Sequence, residues 1–314
     1  MSSSPKTKAE MRAVFDSVSN WGVWGKDDER GTLNYLTPAR IAAAGRLIQT
    51  GQQISCARNF PVVPGPENPT PALHHIVMGG DDPCGHGVPG LEVSLDFIGI
   101  AYHGLASSHI DALCHVFVEG KMYNGFPATD VRSTGARHNS IMSAKDGIVG
   151  RGVLLDIPRL RGKPFVSLAK PVTIDELDAA EKAQGVVVGE GDILLVAVGR
   201  DAQKHHEPHK PGEEYSMPGL DPNCIPWLHK KKIAVLGSDA VHDPSPPVHM
   251  IEDWRIPVHM CALAGMGLHL LDNLRLVELE NACAAEKRWE FFFATAPLRI
   301  ERGTGSPANP TAIL

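Results

Sequence analysis

Residues 193–198 read Ile193-Leu194-Leu195-Val196-Ala197-Val198, six apolar side chains in a row. A run this short, nearly continuous and rich in Val, Ile and Leu, predicts a strand covered on both faces. Residues 153–157 and 233–236 have the same character. Between the first two runs the sequence marks a helix with Thr173 as cap, Glu176 completing a capping box, Ile174 and Leu177 on an apolar edge, and Gly185 as stop. Another helix is signalled by Thr37 as N-cap, Pro38 in the first turn and Gly51 past the end. Helices and strands that intermix without a repeat predict an α/β chain with a mixed sheet. No GxGxxG or P-loop follows any of these strands, so a nucleotide cofactor is not expected.

Upstream lies Ser107-Ser108-His109-Ile110-Asp111-Ala112-Leu113-Cys114-His115-Val116-Phe117, a His-x-Asp-x-x-x-His pattern. In an extended chain alternate side chains share a face, so His109, Asp111 and His115 are expected to point one way and Cys114 the other. On a helix, His109 and Asp111 could not converge. Leu91, Val93, Leu95 and Phe97 alternate with Glu92, Ser94 and Asp96, predicting a half-buried strand that leads into this segment. The apolar flanks of the three polar residues imply burial, and a buried carboxylate needs a partner. A metal ion satisfies all three, and nitrogen and oxygen donors without thiolate suit Zn²⁺ or Mn²⁺.

The 314 residues are 43% hydrophobic with a formal charge of -6, which allows a sizeable core and points to neither nucleic acid nor an acidic membrane. Six cysteines (Cys56, Cys84, Cys114, Cys224, Cys261 and Cys283) without a CxxC pair suit reduced thiols in a cytoplasmic protein. The N-terminus lacks the apolar core of a signal peptide, and no apolar run reaches the ~20 residues that span a bilayer. Residues 60–90 carry many Pro and Gly and read as a long surface loop, in which His74, His75 and His86 are ordinary loop residues. Glu119-Gly120 and Asn124-Gly125 are turn signals, with Tyr123 and Phe126 as candidate pocket walls. Trp21 and Trp24 are expected to pack on the core, line a pocket or seal a subunit contact. His205, His206 and His209 lie in a polar, proline-broken stretch and are given no catalytic role.

Nearer the C-terminus, Pro257 opens a helix with His259 in its first turn. Gly265 and Gly267 are plausible stops, and Leu268, Leu270 and Asp272 then alternate in extended form. One continuous helix would hold His259 and Asp272 about 220° apart, whereas a helix–turn–strand can bring both to one point. They are candidates to complete a coordination shell.

The chain resembles the cyclase-family metal hydrolases, whose members include bacterial kynurenine formamidase and isatin hydrolase. Their signature, His-x-Gly-Thr-His-x-Asp-x-Pro-x-His-Phe, is matched in its second half by Ser108 to His115. His259, Gly267 and Asp272-Asn273-Leu274 match the later pattern, and Asn20-Trp21-Gly22, Gly31-Thr32-Leu33-Asn34 and Leu236-Gly237-Ser238-Asp239 look like longer members. The resemblance implies a compact, barrel-like mixed sheet with flanking helices, of the swivelling β/β/α cyclase type. It also implies a homodimer or higher homo-oligomer, and hydrolysis of amide or lactam bonds. We expect residues 1–314 to form one such domain, with an N-terminal arm over about 1–37. Leu105 stands where the first His of the signature would fall, which favours a single ion. His103 could replace that His only through a shifted loop and is not assigned. Asp272 stands where Glu is usual.

The expected metal ligands are therefore His109, Asp111, His115, His259 and Asp272 around one divalent ion, Mn²⁺ or Zn²⁺, with His115 serving as ligand or as catalytic base. The expected reaction is hydrolysis of a C–N bond in a small cyclic or formyl amide by metal-activated water. The alternatives are a lactone or ester hydrolase on the same site, or a metal-binding protein that has lost catalysis. No GxSxG elbow supports a serine hydrolase.

Overall fold

The computed structural model describes residues 4–82, 87–210 and 215–314. Cys84 and His86, and residues 211–214 of the polar histidine stretch, lie outside the described residues. The strands are β1 (Gln53–Ser55), β2 (Leu73–Met78), β3 (Leu95–Gly99), β4 (His109–Asp111), β5 (Val131–Arg132), β6 (Gly135–Ala136), β7 (Ile148–Asp156), β8 (Ile193–Ala197), β9 (Val235–Ser238), β10 (His269–Asp272), β11 (Glu290–Thr295), β12 (Gly305–Pro307) and β13 (Thr311–Ile313). The helices are α1 (Lys8–Val18), α2 (Pro38–Ala44), α3 (Ile157–Arg161), α4 (Ile174–Gln184), α5 (Arg200–His206), α6 (Ile225–Lys231), α7 (Pro257–His259) and α8 (Val277–Glu286).

Nine strands form one strongly curled mixed sheet, a half-barrel in the order β1-β13-β11-β7-β8-β9-β10-β4-β12. The apolar runs read from the sequence are its parallel centre: β7 pairs β8, β8 pairs β9 and β9 pairs β10, all parallel. Every residue of β8, β9 and β10 is buried, as expected for strands covered on both faces. The helix marked by Thr173, Glu176 and Gly185 is α4, with the capping box formed and Gly185 left-handed at φ 66°. Thr37 accepts from the Arg40 N–H at the start of α2, but that helix gives way to a 3₁₀ turn over Gly45–Leu47, before Gly51.

Two expectations are corrected. The stretch 60–90 contains a strand, β2, which pairs with β3 in a separate two-stranded ribbon. The alternation over residues 91–97 yields a strand only from Leu95, and it is not half-buried: β2 and β3 are exposed along nearly all their length. Alternation gives a buried face only where a second layer covers it, and among the described residues none does. Phe97 and Ile98 on β3, and Leu73, Ile76 and Val77 on β2, are all more than half exposed.

The N-terminal arm does specific work. Helix α1, capped by a Thr7–Glu10 capping box, buries Met11, Phe15 and Val18 along one face. Beyond it, the arm satisfies the carbonyls left open where α7 continues through a π-helical turn (Met260–Met266) and stops. Trp21 Nε1 donates to the Ala264 carbonyl (2.7 Å), Asn20 N–H to Gly265 (3.0 Å), Asn20 Nδ2 to Met266 (2.9 Å) and Thr32 N–H to Gly267 (2.9 Å). This explains the Asn-Trp and Gly-Thr patterns, and it places Trp21 on the core. Trp24 packs edge-on against Tyr35.

Gly267 is left-handed at φ +68°, and a Cβ there would stand 2.5 Å from the Tyr123 ring. Gly267→Ala should lower stability by at least ~2 kcal/mol, combining the left-handed penalty with overlap. A denaturant titration showing less than half that loss would contradict this account of the turn.

Candidate functional site

Strands β4 and β10 build the floor. They pair antiparallel with Asp272 opposite His109 and Leu270 opposite Asp111, so both carboxylates and His109 project from one face. The helix–turn–strand read from the sequence is present: Pro257 opens α7, Gly267 ends the π-helical turn, and β10 carries Asp272 back beneath His259. His259 Nε2 lies 3.2 Å from Asp272 Oδ2 and 3.8 Å from Asp111 Oδ2.

His115 arrives by a route that differs from strand parity. The strand ends at Asp111, and the chain turns there, the His115 N–H donating to the Ala112 carbonyl (2.9 Å). The turn leaves His115 Nε2 3.9 Å from Asp111 Oδ1. Cys114 is buried elsewhere, against the Gly303 carbonyl.

Three participants were not assigned from the sequence. His103 Nδ1 sits 3.0 Å from Asp111 Oδ1, its ring stacked on His115 at 4.0 Å, with its Nε2 on Thr304 Oγ1 (3.0 Å). The loop 104–107 thus brings His103, which was not assigned from the sequence, beside Asp111, with Leu105 itself lining the cavity. Asp243 accepts from His259 Nδ1 (2.7 Å) and from the N–H groups of Val258 and His259 (2.8 and 3.0 Å). His242 Nε2 lies 3.1 Å from Asp272 Oδ1. The one sequence signal for the last two was an adjacent His-Asp pair soon after an apolar strand.

Two groups of donors result, His103/His109/Asp111 and Asp111/His259/Asp272, each with its ligand atoms within 4.8 Å of one another. Asp111 belongs to both, with Oδ1 toward the first and Oδ2 toward the second. His115 belongs to neither. Asp111 Oδ1, Asp272 Oδ1 and both His242 nitrogens are buried without a hydrogen bond of good geometry, and a cation is the partner such oxygens lack. The imidazoles are prepared for one. His109 Nδ1–H donates to the Ser107 carbonyl (2.8 Å) and His259 Nδ1–H to Asp243, leaving each Nε2 free to bind. The donor set is nitrogen and oxygen, so it fits a divalent ion of the Zn²⁺ or Mn²⁺ kind.

The cluster lines a cavity of about 190 Å³ whose wall also includes Val241, Pro244, Ser245 and Ile256. Tyr123 and Phe126 are not in that wall. Tyr123 is buried with its hydroxyl on Asp28 (2.9 Å), and Phe126 stacks on His138. His74 and His75 are exposed on β2, and His205 and His206 are exposed on α5. The five described cysteines other than Cys84 are free and buried.

Electrostatics set the protonation. Burial works against the charged form of Asp111, but His109 and His103 outweigh it and hold the carboxyl well below its usual range. The Asp272 carboxyl is likewise lowered, because His259 and His242 outweigh its burial. Burial also opposes the imidazolium of His109, yet Asp111 raises this ring to about 9. At His259, Asp272 and Asp243 overcome burial and raise the ring well above its usual value. His115 goes the other way, pushed down to about 4 by burial, which Asp111 does not offset.

A small cavity floored by a shared carboxylate and ringed with imidazoles, on a half-barrel sheet, is the arrangement of a cyclase-type fold with donors that could hold a metal ion. The pattern of the family described as "Putative cyclase" matches residues 53–242, and the chain belongs to that family. A solved structure described as a novel cyclase matches with TM-score 0.85 at 32% identity, over 96% of this chain and 99% of that one. An isatin hydrolase bound to the product analogue thioisatinate matches with TM-score 0.60 at 18% identity, over 88% and 98% of the two chains. Isatin hydrolase A from Labrenzia aggregata, bound to benzyl benzoate, matches with TM-score 0.58 at 19% identity, over 83% and 93%. The two isatin hydrolases establish likeness of fold. A comparison with curated proteins gave no match.

In metal-free protein at pH 7, His109 and His259 carry protons that a cation must displace. Binding of Zn²⁺ should therefore release protons, and affinity should weaken about tenfold per pH unit for each proton displaced as pH falls from about 9. The sign for stability is opposite. His109's raised value stabilises the metal-free fold fully below pH ~6.5, and that contribution fades as pH rises through about 9. Calorimetric titration in buffers of different ionisation heat would reveal the protons, and a pH-independent affinity would contradict this assignment.

Proposed function

We propose that this protein is a metal-dependent hydrolase that opens the C–N bond of a small cyclic or formyl amide. The observation that carries this reading is Asp111, buried and shared by two donor groups, with a neutral histidine beside it on the wall of a small cavity. His109, Asp111, His259 and Asp272, with His103 as a further donor beside Asp111, would hold the ion, which would supply Lewis-acid polarisation and an acidified water when bound. Family membership and the fold shared with isatin hydrolases support the reading.

The rest is the work of side chains. His115 is neutral at pH 7 and half-buried on the cavity wall, so a ring nitrogen is free to take the proton of the attacking water and return it to the leaving nitrogen. Stacking on His103 fixes the plane of its ring. Asp243 keeps His259 in the tautomer that binds through Nε2. Leu105, Val241, Pro244 and Ile256 supply apolar wall to exclude bulk water from a small substrate.

The reading extends to a homodimer. A two-stranded ribbon with both faces exposed is marginal in water, and Ile76, Val77, Phe97 and Ile98 make it apolar. A second copy of the chain is the partner we assign to it.

Four measurements test these statements. Asp111→Asn should abolish both bound metal, by elemental analysis, and hydrolysis of a lactam panel. His115→Ala should retain the metal and lose turnover by about 10²- to 10⁴-fold, and full activity would remove its proton-shuttling role. Matched lactam and lactone substrates separate C–N cleavage from ester cleavage. Light scattering of Phe97→Asp should show a monomer if the ribbon is the dimer contact, and an unchanged dimer would place the contact elsewhere.

A further inference from the structure

Asn273 follows Asp272 directly and is completely buried. Its backbone is left-handed at φ 56°, a conformation that Asn tolerates better than most residues. Its N–H donates to the Ala240 carbonyl (3.0 Å). Its own carbonyl accepts from Ser108 Oγ (2.7 Å) and from Arg58 Nε (3.1 Å). Its side-chain oxygen accepts from Arg200 Nη1 (2.7 Å), and its Nδ2 donates to the carbonyls of Gly104 (2.7 Å) and Ser107 (3.3 Å). Arg200, itself 1% exposed, gives its other terminal nitrogen to the Leu105 carbonyl. Three carbonyls of one four-residue loop, 104–107, are therefore held by two buried side chains.

The loop matters because of its two ends. His103 immediately precedes it, and the Ser107 carbonyl held by Asn273 is the one that accepts from His109 Nδ1. Arg200 is anchored in turn. The Asp239 carboxylate accepts from the N–H groups of Val198, Gly199 and Arg200 at 2.7, 2.9 and 2.8 Å, fixing the start of α5.

We infer that Asn273 and Arg200 are positioning residues that hold loop 104–107 so that His103, in place of residue 105, supplies the third donor to the His109/Asp111 group. The inference rests on reading that cluster as a metal site. It explains how a chain with leucine at position 105 retains a third donor there. Without these donors the Gly104 and Leu105 carbonyls would lose their side-chain partners and the Ser107 carbonyl one of its two, so a relaxed loop would turn them toward solvent and carry His103 away.

The test is a double-mutant cycle read by Co²⁺ binding, followed by calorimetry and by the visible Co²⁺ spectrum. Asn273→Asp keeps the shape and the contact with Arg200 but removes both donations to the loop. His103→Ala removes the donor itself. Each should weaken Co²⁺ binding by about 10- to 100-fold, with the same spectral change. The double variant should match the weaker single variant within about twofold, because both changes remove one interaction. Unchanged affinity in Asn273→Asp, or penalties that multiply in the double variant, would overturn the inference. If Asn273→Asp does not fold by circular dichroism, Arg200→Lys replaces it in the same cycle, judged by the same outcomes. Wild-type protein that binds no Co²⁺ would sink the metal-site reading itself. That outcome is distinct from a clamp that fails in protein that binds the ion.

Discussion

The structure depends on two carboxylates placed side by side under apolar cover. Asp111 and Asp272 rise from the same face of adjacent strands, each 2% exposed or less. Such a pair repels itself and is strongly disfavoured away from water unless positive charge stands between its members. The surrounding architecture supplies that charge or the means to hold it: imidazoles from a loop, a strand and a helix start, aligned by a third buried carboxylate. Protons at His109 and His259 serve this purpose without an ion. The same arrangement gives an ion a reason to bind, since it replaces mobile protons with one fixed charge.

What was legible in the sequence is what local chemistry decides. The central strands and α4 were readable because composition, length and capping residues agreed. His109 and Asp111 were readable because period-two geometry leaves them one direction, and His259 and Asp272 because two glycines mark the turn between them. His103 and Asp243 were not readable. A loop pinned by distant partners delivers one, and the other lies in the loop five residues past the end of β9, a segment without periodicity. Strand parity led to the correct neighbour for His115 through the wrong geometry, because the chain leaves the extended form at Ala112. The ribbon failed in a different way: its alternation is real, but it faces no layer among the described residues of its own chain.

The N-terminal arm shows how a segment remote from the chemistry sustains it. A helix that ends in a π-helical turn leaves several carbonyls without N–H partners, and burial makes that costly. Asn20, Trp21 and Thr32 supply the donors. Gly31 lets the backbones meet, since a Cβ there would lie 2.0 Å from the Gly267 oxygen. The turn that carries His259 toward Asp272 is thus sealed from outside by residues more than two hundred positions away in sequence.

The neighbours of β4 carry a consequence for biosynthesis. This strand pairs only with β10 and β12, which begin at His269 and end at Pro307. A nascent chain that has emerged through β9 contains His109 and Asp111 but has nowhere to place them. Those side chains stay outside the sheet until β10 (His269–Asp272) and β12 (Gly305–Pro307) have been made. A chain that stalls or is cut before β10 therefore lacks the partner strands that hold His109 and Asp111 in place.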